Sequence, residues 1–236
     1  MTQHAVPTFV FDLDDTLYPE RDYVRSGFSA VGVHMAAKGV PSFGKTLWDL
    51  FEAGVRGDTF NRALAAHDHP VSPEMIKTLV EIYRTHAPVI ALSPDAASIL
   101  DHLDQTGVPY GVITDGPLVM QRAKVAVLNL ETRAGIVICT DAYGCECWKP
   151  HPRAFEETQA YFNRTGPKMV YVGDNPTKDF KAPRDLGWLT VRLRHAQGEH
   201  AGAEPVSAAF RADAEIATLD DLITTIDRLR AVGAIL

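Results

Sequence analysis

The sequence has little cysteine: Cys139, Cys145 and Cys147 are the three in a chain of 236 residues. An odd number this small does not build a disulfide framework. The Cys145-Glu146-Cys147 spacing lacks the two-residue gap of common zinc and thioredoxin motifs, and no second cysteine pair exists. These cysteines are read as structural or incidental. Basic charge is also short, with 23 Lys and Arg against 30 Asp and Glu and a net charge of -7. A nucleic-acid polymer or an anionic membrane rewards basic faces, so neither is the expected partner. No apolar run approaches the roughly 18 residues that span a bilayer. Met1-Thr2-Gln3-His4 lacks the basic-then-apolar pattern of a secretory leader, and the expected address is a reducing cytoplasm. Internal repeats and low-complexity tracts are missing too, and nothing in the sequence fixes an oligomeric state.

What is present is an ordinary globular composition, 46% apolar and 22% charged. The length suits one large α/β domain or a core with a smaller insert. Thr8-Phe9-Val10-Phe11 is a short unbroken apolar run, as expected for a strand covered on both faces. From about Arg21 to Ala91 the pattern becomes helical. Phe28, Val31 and Met35 share one helix face. Phe43, Leu47, Trp48 and Phe51 share a second, and Phe60 and Leu64 a third. A fourth helix starts at the capping pair Ser72-Pro73 and carries Met75, Ile76, Leu79 and Tyr83.

After Ser93-Pro94-Asp95 the chain alternates. Strands are predicted at Val108–Val112, Ile136–Cys139, Met169–Val172, Leu189–Leu193 and Ala214–Ile216. Helices are predicted near Val119–Leu128, Pro152–Phe162, Lys178–Leu186 and Leu219–Ala231, with His195–Phe210 a Gly- and Ala-rich loop. The predicted fold class is α/β, a Rossmann-like doubly wound parallel sheet with an inserted α-helical bundle. The core is assigned to residues 1–17 and 93–236, the bundle to 18–92.

Ligands of such sheets bind at the carboxyl ends of the strands. There the sequence places Asp12-Leu13-Asp14-Asp15-Thr16, then Thr114-Asp115-Gly116, then Gly173-Asp174-Asn175 with Asp179 a turn later. Lys149-Pro150 precedes the helix that leads into the third of these. Clustered Asp12, Asp14 and Asp174 repel one another unless a cation sits among them. Carboxylate oxygens suit magnesium. The Thr114 hydroxyl and the backbone N–H groups of Asp115 and Gly116 offer a cradle for an anion, and Lys149 offers a point charge for phosphate. Phosphoryl transfer needs chiefly such positioning and charge neutralisation.

These four segments, in this order, resemble the four motifs of the haloacid dehalogenase superfamily. Phe9-Val-Phe-Asp-Leu-Asp-Asp-Thr-Leu17 resembles the first, Thr114 the second, Lys149-Pro150 the third, and Gly173-Asp-Asn-Pro-Thr-Lys-Asp179 the fourth. The helical insert after the first motif is similar to the superfamily's cap. The resemblance implies a magnesium-dependent phosphatase acting on a small phosphorylated metabolite through an aspartyl-phosphate. In it Asp12 is the nucleophile and Asp14 the acid and base. Asp12, the Asp14 backbone carbonyl and Asp174 hold magnesium, with Asp179 acting through water or one layer further out. Thr114 and Lys149 bind the phosphoryl group, and Lys149 also restrains Asp12. Asp179 has a second reading as a helix cap. Asp15 is read as a turn-stabilising acid outside the site, and His67, His69, His195, Glu199 and His200 as loop residues. Arg25 is the one candidate for a second anionic group of the substrate. A phosphomutase uses the same two aspartates and stays open as an alternative, as does a non-catalytic binder of phosphorylated ligands.

Overall fold

The computed structural model describes residues 7–233. By their contacts these form two compact units. One is built from the residues up to Glu20 and from Ala91 onward, the other from Arg21 to Ile90.

The larger unit is organised on six parallel strands: β1 (Thr8–Phe11), β2 (Tyr110–Thr114), β3 (Ile136–Cys139), β4 (Met169–Gly173), β5 (Leu189–Leu193) and β6 (Ala214–Ile216). Their order is β3-β2-β1-β4-β5-β6. β1, β2 and β4 are buried along their whole length, which explains why they read as unbroken apolar runs rather than alternating ones. Strand order reverses between β1 and β4, where Phe9 pairs with Val170 and Phe11 with Val172. Chains that wind outward in both directions from such a pair leave a crevice beyond its carboxyl ends. Asp12 and Asp174 follow β1 and β4 directly.

The smaller unit packs α1 (Glu20–Ala36), α2 (Phe43–Glu52), α3 (Thr59–Ala66) and α4 (Pro73–Thr85). Phe28, Val31, Met35, Phe43, Leu47, Leu64 and Leu79 form its core, as their spacing of three and four requires. Fully burying each of these side chains contributes about 1.5–3 kcal/mol. Ser72 caps α4 by accepting from the Met75 N–H at 3.2 Å.

The larger unit's helices are α5 (Pro94–Thr106), α6 (Leu118–Val127), α7 (Leu130–Arg133), α8 (Arg153–Phe162), α9 (Lys181–Asp185) and α10 (Leu222–Gly233). The Ser93 N–H donates to the Leu17 carbonyl at 3.0 Å, so the two stretches of chain at the unit's border are tied to each other.

Two elements differ from expectation. β2 begins at Tyr110 and reaches Thr114, so the threonine is the last residue of the strand. The helix predicted from Lys178 begins only at Lys181. The segment before it is held by side chains instead: Asn175 Oδ1 accepts from both the N–H and the hydroxyl of Thr177, and Asp179 Oδ2 accepts from the Asn175 N–H. Such local bonds compete with a helical turn.

Candidate active site

The sheet edge brings Asp12, Asp174 and Asp179 together. All three are buried, and one carboxylate oxygen of each lies within 4.8 Å of the others. Asp12 leaves β1 with its N–H on the Val172 carbonyl at 2.8 Å, which fixes its backbone to β4. A side chain on Gly173 would meet Asp179 Oδ2 at 2.6 Å, so a glycine is needed for the close approach.

Among the described residues, Lys149 is the one ammonium paired with carboxylates of this trio. Its Nζ stands 2.6 Å from Asp12 Oδ1, 2.8 Å from Asp179 Oδ1 and 3.0 Å from the Tyr171 hydroxyl. Burial works against the charge of Lys149, but Asp12 and Asp179 outweigh it and hold the ammonium well above its ordinary value. Burial first of all pushes Asp12 up to about 6, with Asp179 adding to the effect and Lys149 and Lys178 opposing it. Burial, then Asp179 and Asp12, push Asp174 well above the usual carboxylate range.

With all three carboxylates ionised, the one ammonium among them would leave two negative charges in excess, and this excess adds to burial in pushing Asp12 and Asp174 upward. The donor set is hard oxygen, close enough together to share one ion. It fits a divalent cation of the magnesium type, whose charge would cancel the excess.

Asp14 faces elsewhere. Its carboxylate accepts from Lys124 Nζ at 2.7 and 2.9 Å, from Gln121 Nε2 at 3.2 Å and from the Tyr18 hydroxyl. Burial opposes its ionisation, but Lys124 and Tyr18 prevail and hold it below the usual carboxylate range. The Asp14 side chain is therefore not part of the acidic trio.

Thr114, Asp115 and Gly116 follow in line from β2. Thr114 is buried and its hydroxyl donates to Gln121 Oε1 at 3.2 Å. Gln121 in turn donates to the Asp115 carbonyl at 2.8 Å. Gly116 has φ +125, and a side chain there would meet Gln121 Nε2 at 2.6 Å. The Asp115 carboxylate accepts from the Thr140 hydroxyl at 2.7 Å, the Lys149 N–H at 3.1 Å and Lys178 Nζ at 3.1 Å. Burial is the largest influence on it and opposes ionisation, yet Lys149 and Lys178 hold it below the usual range.

Arg25 lies in the smaller unit. It is exposed, and its guanidinium carbon stands 5.0 Å from the centre of the Trp48 ring.

Several contributors were not legible in the sequence. Lys124 and Gln121 lie on α6, and Lys178 precedes Asp179. No local pattern marks Gln121 and Lys124 as partners of Asp14; α6 brings both onto its carboxylate. Asp15, at φ 51, accepts from the N–H groups of Glu20 and Glu199, each at 2.8 Å. It thus joins the turn after β1 to the loop after β5. Buried Arg192 on β5 holds that loop as well, donating to the carbonyls of His200 and Ala203, both at 2.9 Å, and of Asp174 at 3.2 Å. His200 is thereby placed 3.0 Å from Asn175 Nδ2, so this part of the loop is tied to the sheet edge.

Known proteins share this arrangement of sequence and fold. The haloacid dehalogenase-like hydrolase family matches residues 6–187. A glyceraldehyde 3-phosphate phosphatase of Methanocaldococcus jannaschii is 26% identical over 191 residues, 78% of this chain and 83% of that one. A ribulose-1,5-bisphosphate 5-phosphatase of Halopiger xanaduensis is 26% identical over 231 residues, covering 90% of this chain and 96% of its own. Among solved structures, the magnesium-bound HAD hydrolase YfnB of Bacillus subtilis superposes with a TM-score of 0.66 at 16% identity, covering 94% of this chain and 98% of that one. At that identity the likeness speaks for the fold alone.

Proposed function

The chain belongs to the haloacid dehalogenase-like hydrolases, and from that premise we propose that it is a phosphoric monoester hydrolase for a small phosphorylated metabolite, with Asp12 as nucleophile. The observation that carries this reading is the placement of Asp12. It sits buried where the strand order reverses, with Lys149 at 2.6 Å and Asp174 and Asp179 gathered beside it.

In the first step an Asp12 oxygen attacks phosphorus, the ester P–O bond breaks, and the alcohol leaves with a proton from Asp14. In the second, water attacks the same phosphorus, gives its proton to Asp14, and frees Asp12 and inorganic phosphate. Pairing with Lys124 and Tyr18 favours the carboxylate form of Asp14, which the second step needs. The negative charge of an arriving phosphate monoester favours the protonated form, which the first step needs. Lys149 holds the Asp12 carboxylate in place. Thr114 and the backbone N–H groups of Asp115 and Gly116 are the proposed anion cradle.

Magnesium is the proposed cation, held by Asp12, the Asp14 carbonyl and Asp174, with Asp179 through water. When bound, it would neutralise carboxylate and phosphoryl charge. The unit Arg21–Ile90 is the proposed cap, with Arg25 the candidate for a second anionic group of the substrate. Both relatives named above are phosphatases of small sugar phosphates, so that class leads the proposed substrates. No helix among the described residues is long and apolar enough to cross a membrane.

The test is phosphate release from a panel of sugar phosphates, nucleoside monophosphates and phosphorylated acids, with magnesium and with chelator, and with Asp12→Asn as control. Metal-dependent release lost in the variant supports the reading. Isomerised product without net phosphate would support a mutase instead, and no turnover of any kind would support a binder.

A further inference from the structure

Two polar side chains of α6 are buried where a helix covering a sheet ordinarily buries apolar ones. Gln121 and Lys124 stand three positions apart, so they share one face of the helix. They are 2% and 1% exposed. A buried ion pair is often no more stable than apolar side chains of the same volume, so stability alone does not account for a lysine at this place.

Both reach Asp14. Lys124 Nζ lies 2.7 Å from Oδ1 and 2.9 Å from Oδ2, and Gln121 Nε2 lies 3.2 Å from Oδ2. The Tyr18 hydroxyl donates to Oδ1 as well. The carboxylate is thus held at both oxygens, from α6 and from the turn after β1, and its two torsions are fixed. Oδ2 has the longer bonds of the two oxygens. Lys124 has 2% side-chain exposure and Asp14 has 19%, so the carboxylate keeps an open side while its counter-ion does not. Gln121 also donates to the Asp115 carbonyl at 2.8 Å and accepts from the Thr114 hydroxyl at 3.2 Å. One carboxamide therefore sets Asp14 in register with the proposed anion cradle.

We propose that Lys124, with Gln121 beside it, is the positioning residue that holds Asp14 where it exchanges a proton with the leaving oxygen, and that keeps its carboxylate apart from the acidic trio. The assignment rests on the phosphatase reading and deepens it. A general acid works only within hydrogen-bond reach of the oxygen it protonates. Without an ammonium of its own, Asp14 would be a fourth carboxylate free to turn toward the cation proposed for the trio. In the first step the ester P–O bond breaks, its electron pair goes to the leaving oxygen, and that oxygen takes the proton from Asp14 Oδ2. Oδ1 stays on Lys124 and Tyr18, so the carboxylate does not swing as the proton leaves, and the ammonium meets the charge left behind. In the second step Oδ2 takes a proton from the attacking water.

The test is kcat/KM of wild type, Lys124→Met and Asp14→Asn for the best alkyl phosphate and for 4-nitrophenyl phosphate, whose acidic leaving group needs little protonation. This ratio covers the steps up to departure of the alcohol and so isolates the first proton transfer. Lys124→Met is expected to lose about 100-fold or more on the alkyl ester and less than about tenfold on the aryl ester, with Asp14→Asn showing the same inequality. Adding Lys124→Met to Asp14→Asn should lower the alkyl rate by no more than about threefold further. Equal losses on the two esters in Lys124→Met, or losses that multiply in the double variant, would make Lys124 a structural counter-ion and overturn the assignment. If Lys124→Met does not fold, Lys124→Gln replaces it under the same criteria. Asp14→Asn treating both esters alike would overturn the acid and base role of Asp14, and wild type hydrolysing neither ester would overturn the phosphatase reading. Both outcomes are distinct from a wild type and an Asp14→Asn that behave as expected while Lys124→Met does not.

Discussion

Replacing Lys149 with Met keeps the length of the side chain and removes its charge from among three buried carboxylates. Lys149 and Asp179 have no side-chain exposure, and Asp12 has 5%. Removing one partner of a buried pair typically costs about 3–5 kcal/mol, because the surviving charge has neither water nor a counter-ion. Proton uptake limits that cost here. Asp12 already stands at about 6 with Lys149 beside it, and without the ammonium it rises further, so it is largely neutral at pH 7. The lower end, about 3 kcal/mol, is therefore expected at pH 7 without metal. A carboxyl raised in the folded state loses stability as pH rises through its folded value. The deficit of Lys149→Met should accordingly widen from pH 6 to pH 9. For a chain of this size each kcal/mol shifts the midpoint by about 2–4 °C, giving a fall of about 6–12 °C at pH 7. The assay is thermal and urea unfolding in chelator, followed by circular dichroism. Adding Asp179→Asn to Lys149→Met should recover part of the loss, because one stranded carboxylate is removed. A midpoint within about 1 kcal/mol of wild type at every pH, or strictly additive losses in the double variant, would refute the claim that Lys149 compensates these carboxylates.

Three further outcomes are expected. Asp12→Asn should lower kcat by at least about 10⁴-fold while far-ultraviolet circular dichroism stays unchanged, and near-normal turnover would exclude Asp12 as nucleophile. Chelation should abolish phosphate release, and Asp174→Asn should weaken magnesium binding at least about tenfold in a direct calorimetric titration; unchanged binding would place the cation elsewhere. Asp95 ties the start of α5 to the turn before α10 through the Leu219 N–H at 2.9 Å, the Thr218 hydroxyl at 3.2 Å and the Ser93 hydroxyl at 2.6 Å. Asp95→Ala should therefore cost about 2 kcal/mol in urea unfolding. Burial opposes the charge of Asp95, but those donors hold it below its ordinary 3.8, so its contribution is present above that value and fades as pH falls through the folded one. A deficit that is constant from pH 7 to pH 3 would show that the charge is not what these donors hold.

The sequence by itself determined the elements and the inventory of the site. Short apolar runs and period-3.6 patterns are local, so the buried strands and the four helices from Glu20 to Thr85 can be read from the sequence alone. The rule that sites lie beyond strand ends then singles out Asp12, Thr114 and Asp174 without any knowledge of their distances. Only the tertiary structure decided how the charges pair. Lys124 meets Asp14 across 110 positions and Lys149 meets Asp12 across 137, and which lysine lands on which carboxylate depends on strand order and on the turn each helix presents. The same holds for Arg192, an ordinary strand residue by pattern whose buried guanidinium fixes the loop after β5. Hydrophobic periodicity is written along the chain, whereas electrostatic partnership depends on separation in space, and the folded sheet alone sets that separation.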